Sequence, residues 1–162
     1  MTKEEKYNNM YMDIAARVAA MSYSKRLHVG AVIVKNDNII SFGWNGMPSG
    51  WDNNCEDELV TYDVRDTVSE KEAWAYDVDT KQYKRLKTKP EVLHAESNAI
   101  VKLSKSSESS VDSKMYCTHS PCIECAKLIF QSGVKNLYYR NAYRSDEGIN
   151  FLSKSGVKVQ KI

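Results

Sequence analysis

Four cysteines, three prolines, seven glycines and no long apolar run are what this 162-residue chain has to work with. Two of the cysteines form a Cys-x-x-Cys pair, and Cys55 and Cys117 carry no spacing that suggests a disulfide framework. A chain of this length buries a core without such staples, so reducing, cytoplasmic conditions are expected. Nothing approaches the roughly 18 apolar residues of a membrane span, and Met1 to Lys6 lacks the apolar centre of a secretory signal. No segment reads as a linker or a repeat. Charge of one sign is missing too. The 23 basic and 21 acidic residues leave a formal +2, without the basic stripe that a polynucleotide surface requires. Small anionic ligands stay open.

The apolar spacing is informative. Tyr7, Met10, Tyr11, Ile14, Val18 and Met21 recur three or four apart and predict a helix from about Lys3 to Met21. Residues 29–34 and 39–44 are β-rich runs divided by Lys35-Asn36-Asp37-Asn38, a turn-forming cluster, and predict a hairpin. A breaker-rich loop, Asn45 to Gly50, follows. Residues 51–90 have no clear period but sort their charge: Glu56 to Glu72 holds seven acids against two bases, and Lys81 to Lys89 five bases and no acid. A helix near Glu58 to Ala75 plus a functional or interfacial loop is expected there, against the alternative of a solvated insertion. Beyond His94 the reading is regular. A helix to about Ser104 is followed by a strand at 114–118, a helix at 122–132 stopped by Gly133, a strand at 134–140, a helix at 146–155 and a strand at 157–162. Helices alternating with strands predict a single α/β domain with a mostly internal sheet and an insertion around 51–90.

Chemistry concentrates in two short motifs. His94-Ala95-Glu96 is followed by Pro121-Cys122-Ile123-Glu124-Cys125, with Cys122 twenty-eight residues after His94. Imidazole nitrogen and thiolate sulfur are zinc donors, and a catalytic zinc keeps one of its four positions for water. His94, Cys122 and Cys125 fill three. A Cys-x-x-Cys at a helix start puts both sulfurs on one face, where free backbone N–H groups favour thiolate, and Pro121 suits that start. Glu96 is left over as a carboxylate able to shuttle protons. A structural zinc site wants a fourth protein ligand and has no use for Glu96. The order H-x-E then P-C-x-x-C resembles the pattern of zinc-dependent nucleobase deaminases.

Four separated blocks narrow the resemblance: residues 26–32 (RLHVGAV), 43–50 (GWNGMPSG), 94–100 (HAESNAI) and 120–127 (SPCIECAK). In these the chain resembles the deoxycytidylate (dCMP) deaminase family of the cytidine deaminase-like superfamily. The Asp-Pro-Thr-Ala lead-in of tRNA adenosine deaminases is replaced here by Glu91-Val92-Leu93. The resemblance implies a three-layer α-β-α fold with a central mixed sheet of about five strands. It implies hydrolysis of dCMP to dUMP and ammonia, with one catalytic Zn2+ per subunit on His94, Cys122 and Cys125 and Glu96 as proton shuttle. It implies substrate contacts from Asn45, Lys114, His119, Tyr143 and Arg144. It further implies a homohexamer activated by dCTP and inhibited by dTTP, with Mg2+ on the triphosphate and an effector site drawn from Arg26, Gly43, Trp44, Asn45, Gly46 and Asn98. Unlike relatives with a second, structural zinc, this chain has no sulfur at Ser22, Tyr23 or Ser24. A single zinc is therefore expected, with Cys117 a small core residue and His28 a satisfied or surface imidazole. Two other readings use the same motif: a nucleic-acid base deaminase, which would add a basic groove and stacking aromatics, and a non-enzymatic zinc-stabilised nucleotide sensor, which would not need Glu96.

Overall fold

Thr2 opens the first helix, α1 (Lys3–Ala19), with a reciprocal cap. Its hydroxyl accepts from the Glu5 N–H at 3.1 Å, and the Glu5 carboxylate accepts from the Thr2 N–H at 2.7 Å. The computed structural model describes residues 1–62, 74–77, 79 and 82–162. Strands β1 (Gly30–Lys35) and β2 (Asn38–Trp44) form the expected hairpin. Its two central residues, Asn36 and Asp37, both have positive φ, at 50° and 60°, as a two-residue turn requires.

β1 also pairs antiparallel with β6 (Lys114–His119), which runs parallel to β7 (Asn136–Asn141), itself parallel to β8 (Lys158–Lys161). The sheet order β2-β1-β6-β7-β8 is mixed, and α3 (Ile123–Gln131) and α4 (Glu147–Lys154) are the crossovers of its parallel half. Side chains alternate along each strand and so sort into two cores. Ala31, Ile33, Met115, Cys117 and Leu137 meet Ala95 and Ala99 of α2 (Ala95–Lys102), Ala126 and Ile129 of α3, and Leu152 of α4. Val32, Val34, Tyr116 and Tyr138 meet Tyr11, Met12 and Ala15 of α1 on the other face. The result is three layers, helix, sheet, helix. Cys117 is a fully buried core residue.

The packed face of α1 differs from the apolar stripe in the sequence. Asn8, Tyr11, Met12, Ala15 and Ala19 are buried, whereas Tyr7, Met10 and Met21 are exposed. Close approach decides this: a Cβ on Gly30 would lie 2.1 Å from the Ala15 carbonyl oxygen and 2.6 Å from the Ala19 nitrogen. The helix therefore seats Ala15 and Ala19 on β1, keeps Tyr11 and Met12 in the core with Ile14 and Val18 at its edge, and leaves Tyr7 and Met10 outside. Gly43 plays the same part for α2, since its Cβ would meet the Ala95 oxygen at 2.4 Å and the Ala99 nitrogen at 2.6 Å.

The 51–90 region corrects one expectation. Glu58 to Tyr62 belong to strand β3 (Glu56–Tyr62) and Trp74-Ala75 to β4 (Trp74–Asp77), not to a helix; residues 63–73 of that expected helix lie outside the described residues. With β5 (Gln82–Thr88) these form a separate antiparallel sheet, ordered β3-β5-β4. The charge sorting is the physical reason. The acidic run and the basic run are partner strands, with Asp57 opposite Lys87 and an Asp57–Lys89 ion pair at 4.0 Å. Glu56, only 3% exposed, ties the base of this sheet to the 24–26 loop: one carboxylate oxygen accepts from the Ser24 hydroxyl (2.5 Å) and from the N–H groups of Lys25 (2.9 Å) and Arg26 (3.2 Å).

Gly43→Ala is expected to destabilise the protein by about 1–3 kcal/mol in urea unfolding, because the opposing atoms are backbone and α2 must move to clear them. Gly46→Ala, whose Cβ would find nothing closer than 3.9 Å, is expected to stay within about 0.5 kcal/mol.

Candidate metal centre and its surroundings

Two helix N-termini meet at the end of β6. His94 is the N-cap of α2 and Cys122 the N-cap of α3, both with extended backbone (φ −80°, ψ 152° and φ −67°, ψ 168°). Neither side chain caps its own helix, as Ser, Thr, Asp or Asn at that position commonly does. They turn toward each other instead. His94 Nδ1 lies 3.6 Å from Cys122 Sγ and 3.3 Å from Cys125 Sγ, and all three donor atoms fall within 4.8 Å of one another. A tetrahedral zinc with ordinary Zn–N and Zn–S bonds would place N and S about 3.6 Å apart and two sulfurs about 3.8 Å apart. The donor set fits zinc in both kind and spacing, and it is the one such cluster among the described residues.

The electrostatics agree with that fit. Hydrogen bonds from Cys125 and then from His94 hold the Cys122 thiol down to about 3, so Cys122 is a thiolate. The proton that Cys125 shares with it, together with burial, keeps Cys125 above the usual thiol range until a cation replaces that proton. His94 is raised, first by its contact with Cys122. Glu96, in the first turn of α2 and 5% exposed, is raised by burial, with its own backbone N–H and the His94 ring opposing.

Around this centre the loops are tied down. Asn45 uses both ends of its amide: Oδ1 accepts from the Val29 N–H and Nδ2 donates to the Leu27 oxygen, each at 2.8 Å. That leaves it one N–H and one lone pair for anything else. Gly46 exchanges backbone hydrogen bonds with Leu93 (3.1 and 2.9 Å), and Asn98 Nδ2 donates to the Trp44 oxygen at 2.8 Å. Gly43, Trp44, Gly46 and Asn98 are thus joined to the segment that presents His94. Arg26 is elsewhere. Its guanidinium donates to Thr88 Oγ1 at 2.7 Å, and its charge acts on Tyr143.

His119 ends β6, its Nδ1 3.0 Å from Thr118 Oγ1 and its ring edge-on to Tyr143 with centroids 6.5 Å apart. Tyr143 is held by its N–H to Ser120 Oγ (2.8 Å), its phenol is raised by burial, and Arg144 lies over its ring at 5.4 Å. Lys114 is not brought here. It begins the strand that His119 ends, about 16 Å away along an extended chain. His28 donates Nε2–H to the Ser24 oxygen at 2.8 Å and is satisfied there.

Several positions that build the site have no signature in the sequence. Glu56 is one acid in an acidic run, Thr118 and Ser120 are ordinary small polar residues, and Gly148 looks like an incidental glycine on a helix. A Cβ on Gly148 would meet the Pro121 oxygen at 2.1 Å, so α4 presses on the turn that carries Cys122.

The family model described as the cytidine and deoxycytidylate deaminase zinc-binding region matches residues 5–141. The deoxycytidylate deaminase of Mus musculus is 38% identical over 130 residues, which is 80% of this chain and 61% of that protein. The chain thus spans less than two thirds of that relative. The deoxycytidylate deaminase of Enterobacteria phage T4 is 33% identical, covering 91% of this chain and 86% of its own length. The crystal structure of dCMP deaminase from the cyanophage S-TIM5 in complex with dCMP and dUMP superposes with a TM-score of 0.76 at 42% identity, covering 100% of this chain and 99% of that one. A matching zinc-binding region that takes in both converging helix starts, and relatives alike over most of the fold, make this chain a member of the cytidine and deoxycytidylate deaminase family.

Proposed function

We propose that this protein hydrolyses dCMP to dUMP and ammonia, and that residues 1–162 act as one deaminase domain with 51–90 as its insertion. The observation that carries the reading is the His94, Cys122 and Cys125 triangle of zinc-donor spacing with a buried carboxylate, Glu96, two residues from the imidazole. The likeness to deaminases of deoxycytidylate supports the substrate.

His94, Cys122 and Cys125 hold the zinc, which when bound supplies the Lewis acidity that makes water a nucleophile near neutral pH. Glu96 moves the protons. It takes one proton from the attacking water and passes it to the ring nitrogen next to the amino-bearing carbon, then takes the second from the hydroxyl now on that carbon and passes it to the amine, so that the C–N bond breaks, ammonia leaves and the carbonyl forms. Burial keeps its proton affinity high enough to give as well as take. The free N–H groups at the starts of α2 and α3 favour the negative charge that develops between them. Asn45, locked by its two backbone bonds, aims its remaining N–H at the sugar. Arg144 lies over the Tyr143 ring and the charge of Arg26 is felt at its phenol, and that supports this corner as the place of a phosphate carrying about two negative charges.

Regulation by dCTP and dTTP, with Mg2+ on the triphosphate, belongs to the same proposal. It is supported by the bonds that join Gly43, Trp44 and Gly46 through Asn98 and Leu93 to the start of α2, so that a ligand on this loop displaces His94 and Glu96. Exposed Phe42, Val101 and Met10 support self-association into a homohexamer. No helix among the described residues is long and apolar enough to cross a membrane. Four free thiols suit a reducing, cytoplasmic setting.

Ammonia release from dCMP, CMP and dCTP, each with and without dCTP or dTTP as effector, tests the substrate and the regulation. Glu96→Gln is expected to lower turnover about 10²–10⁴-fold while the protein retains one zinc per chain by metal analysis; full activity in that variant rejects the mechanism. Cys122→Ala, or chelation of the wild type, is expected to remove both the zinc and the activity and to lower the melting temperature, with recovery on zinc addition only in the wild type. Arg26→Ala is expected to raise KM for dCMP about 10–100-fold and to leave the slower turnover of deoxycytidine nearly unchanged. Equal loss on both substrates removes Arg26 from the phosphate corner.

A further inference from the structure

The Thr118 hydroxyl has one proton to donate and two lone pairs. One lone pair is taken by the Gly30 N–H at 3.1 Å. The acceptor within reach of the hydroxyl proton is Nδ1 of His119, at 3.0 Å. Thr118 is only 5% exposed, so the proton has no ready outlet to water, and stranding a buried donor is costly. Were the ring proton on Nδ1, that hydroxyl proton would be orphaned. With the ring proton on Nε2, every group in the chain Gly30 N–H, Thr118 O–H and His119 Nδ1 is satisfied.

The Gly30 N–H holds the Thr118 hydroxyl, and the main chain that carries it is fixed. Thr118 lies within β6, and its carbonyl oxygen accepts from Asn141 Nδ2 at 3.0 Å. Burial lowers the proton affinity of the His119 ring, which therefore stays neutral. Nε2 has no protein partner among the described residues, and the ring sits edge-on to Tyr143 beside the candidate metal centre.

We propose that Thr118 is a positioning residue that locks His119 as the neutral Nε2–H tautomer, so that His119 offers one uncharged donor to an oxygen acceptor of the bound pyrimidine nucleotide. The ligand in this statement rests on the dCMP reading; the tautomer does not. An uncharged donor suits a cleft that also holds Glu96, because it binds an oxygen without competing for the proton that the carboxylate moves.

Ring ¹⁵N NMR of the zinc-loaded protein tests the lock. The expected pattern is a pyridine-like Nδ1 and a pyrrole-like Nε2 for His119 in the wild type, lost in Thr118→Val and restored in Thr118→Ser. With dCMP, Thr118→Val is expected to raise KM about tenfold while kcat stays within about threefold. A pyrrole-like Nδ1 in the wild type, or an unchanged pattern in folded Thr118→Val, overturns the proposal. Should Thr118→Val not fold, His119→Gln and His119→Asn decide it. The Gln amide N–H reaches the place of Nε2 and is expected to keep more of kcat/KM than Asn, whose amide stops near Nδ1; equal losses overturn the proposal. An active enzyme with the wrong ring pattern defeats this inference alone, whereas absent dCMP turnover with the expected pattern defeats the substrate reading.

Discussion

Two helices are made to begin at the same point in space, and the rest of the molecule serves that meeting. Helix N-termini carry partial positive charge and unpaired N–H groups, so facing two of them together is unfavourable unless something anionic lies between. Here Cys122 lies between them as a thiolate, with the Cys125 thiol and the Glu96 carboxyl beside it. Giving the two N-cap positions to His94 and Cys122 forgoes the local stabilisation of an ordinary cap. A bound metal returns it, by linking His94 at the start of one helix to Cys122 and Cys125 at the start of the other.

The meeting point is set by backbone contact more than by large side chains. Gly43 brings α2 onto β2, Gly30 brings α1 onto β1, and Gly148 brings α4 onto the Pro121 turn, each where a methyl group would overlap backbone atoms. Such contacts are stiff because no rotamer change relieves them. They hold the first turns of α2 and α3 to a narrow range of positions, as a site built from three donors and a carboxylate requires.

A second frame holds the mouth of the site. Asn45 clasps the 27–29 backbone, Glu56 clasps 24–26, and Arg26 reaches Thr88, so the separate three-stranded sheet is fastened to the loop that leads into β1. Through Tyr143 and Ser120 the loop after β7 is fastened to the turn before Cys122. The three-stranded sheet is thus tied through Thr88 to Arg26, whose charge acts on Tyr143.

The metal donors were legible in the chain because zinc chemistry demands rare residue types at fixed spacing, and His94, Glu96, Cys122 and Cys125 satisfy a pattern that few other functions need. The alternating helices and strands after His94, and the hairpin before it, were legible for a similar reason: each rests on local periodicity and turn chemistry. What depended on partners distant in sequence was not. The acidic stretch from Glu56 reads as helix by itself and becomes a strand because the basic stretch ending at Lys89 lies beside it. Part of the apolar stripe of α1, Tyr7 and Met10, is exposed because Gly30 seats Ala15 and Ala19 against β1, while Tyr11, Ile14 and Val18 keep to the core side. Lys114 falls at the far end of the strand that His119 closes. Sequence alone determined which atoms can bind a metal and move a proton; tertiary structure decided which surfaces touch and which tautomer His119 adopts, since close packing and hydrogen-bond satisfaction are properties of neighbours that the chain brings together only when folded.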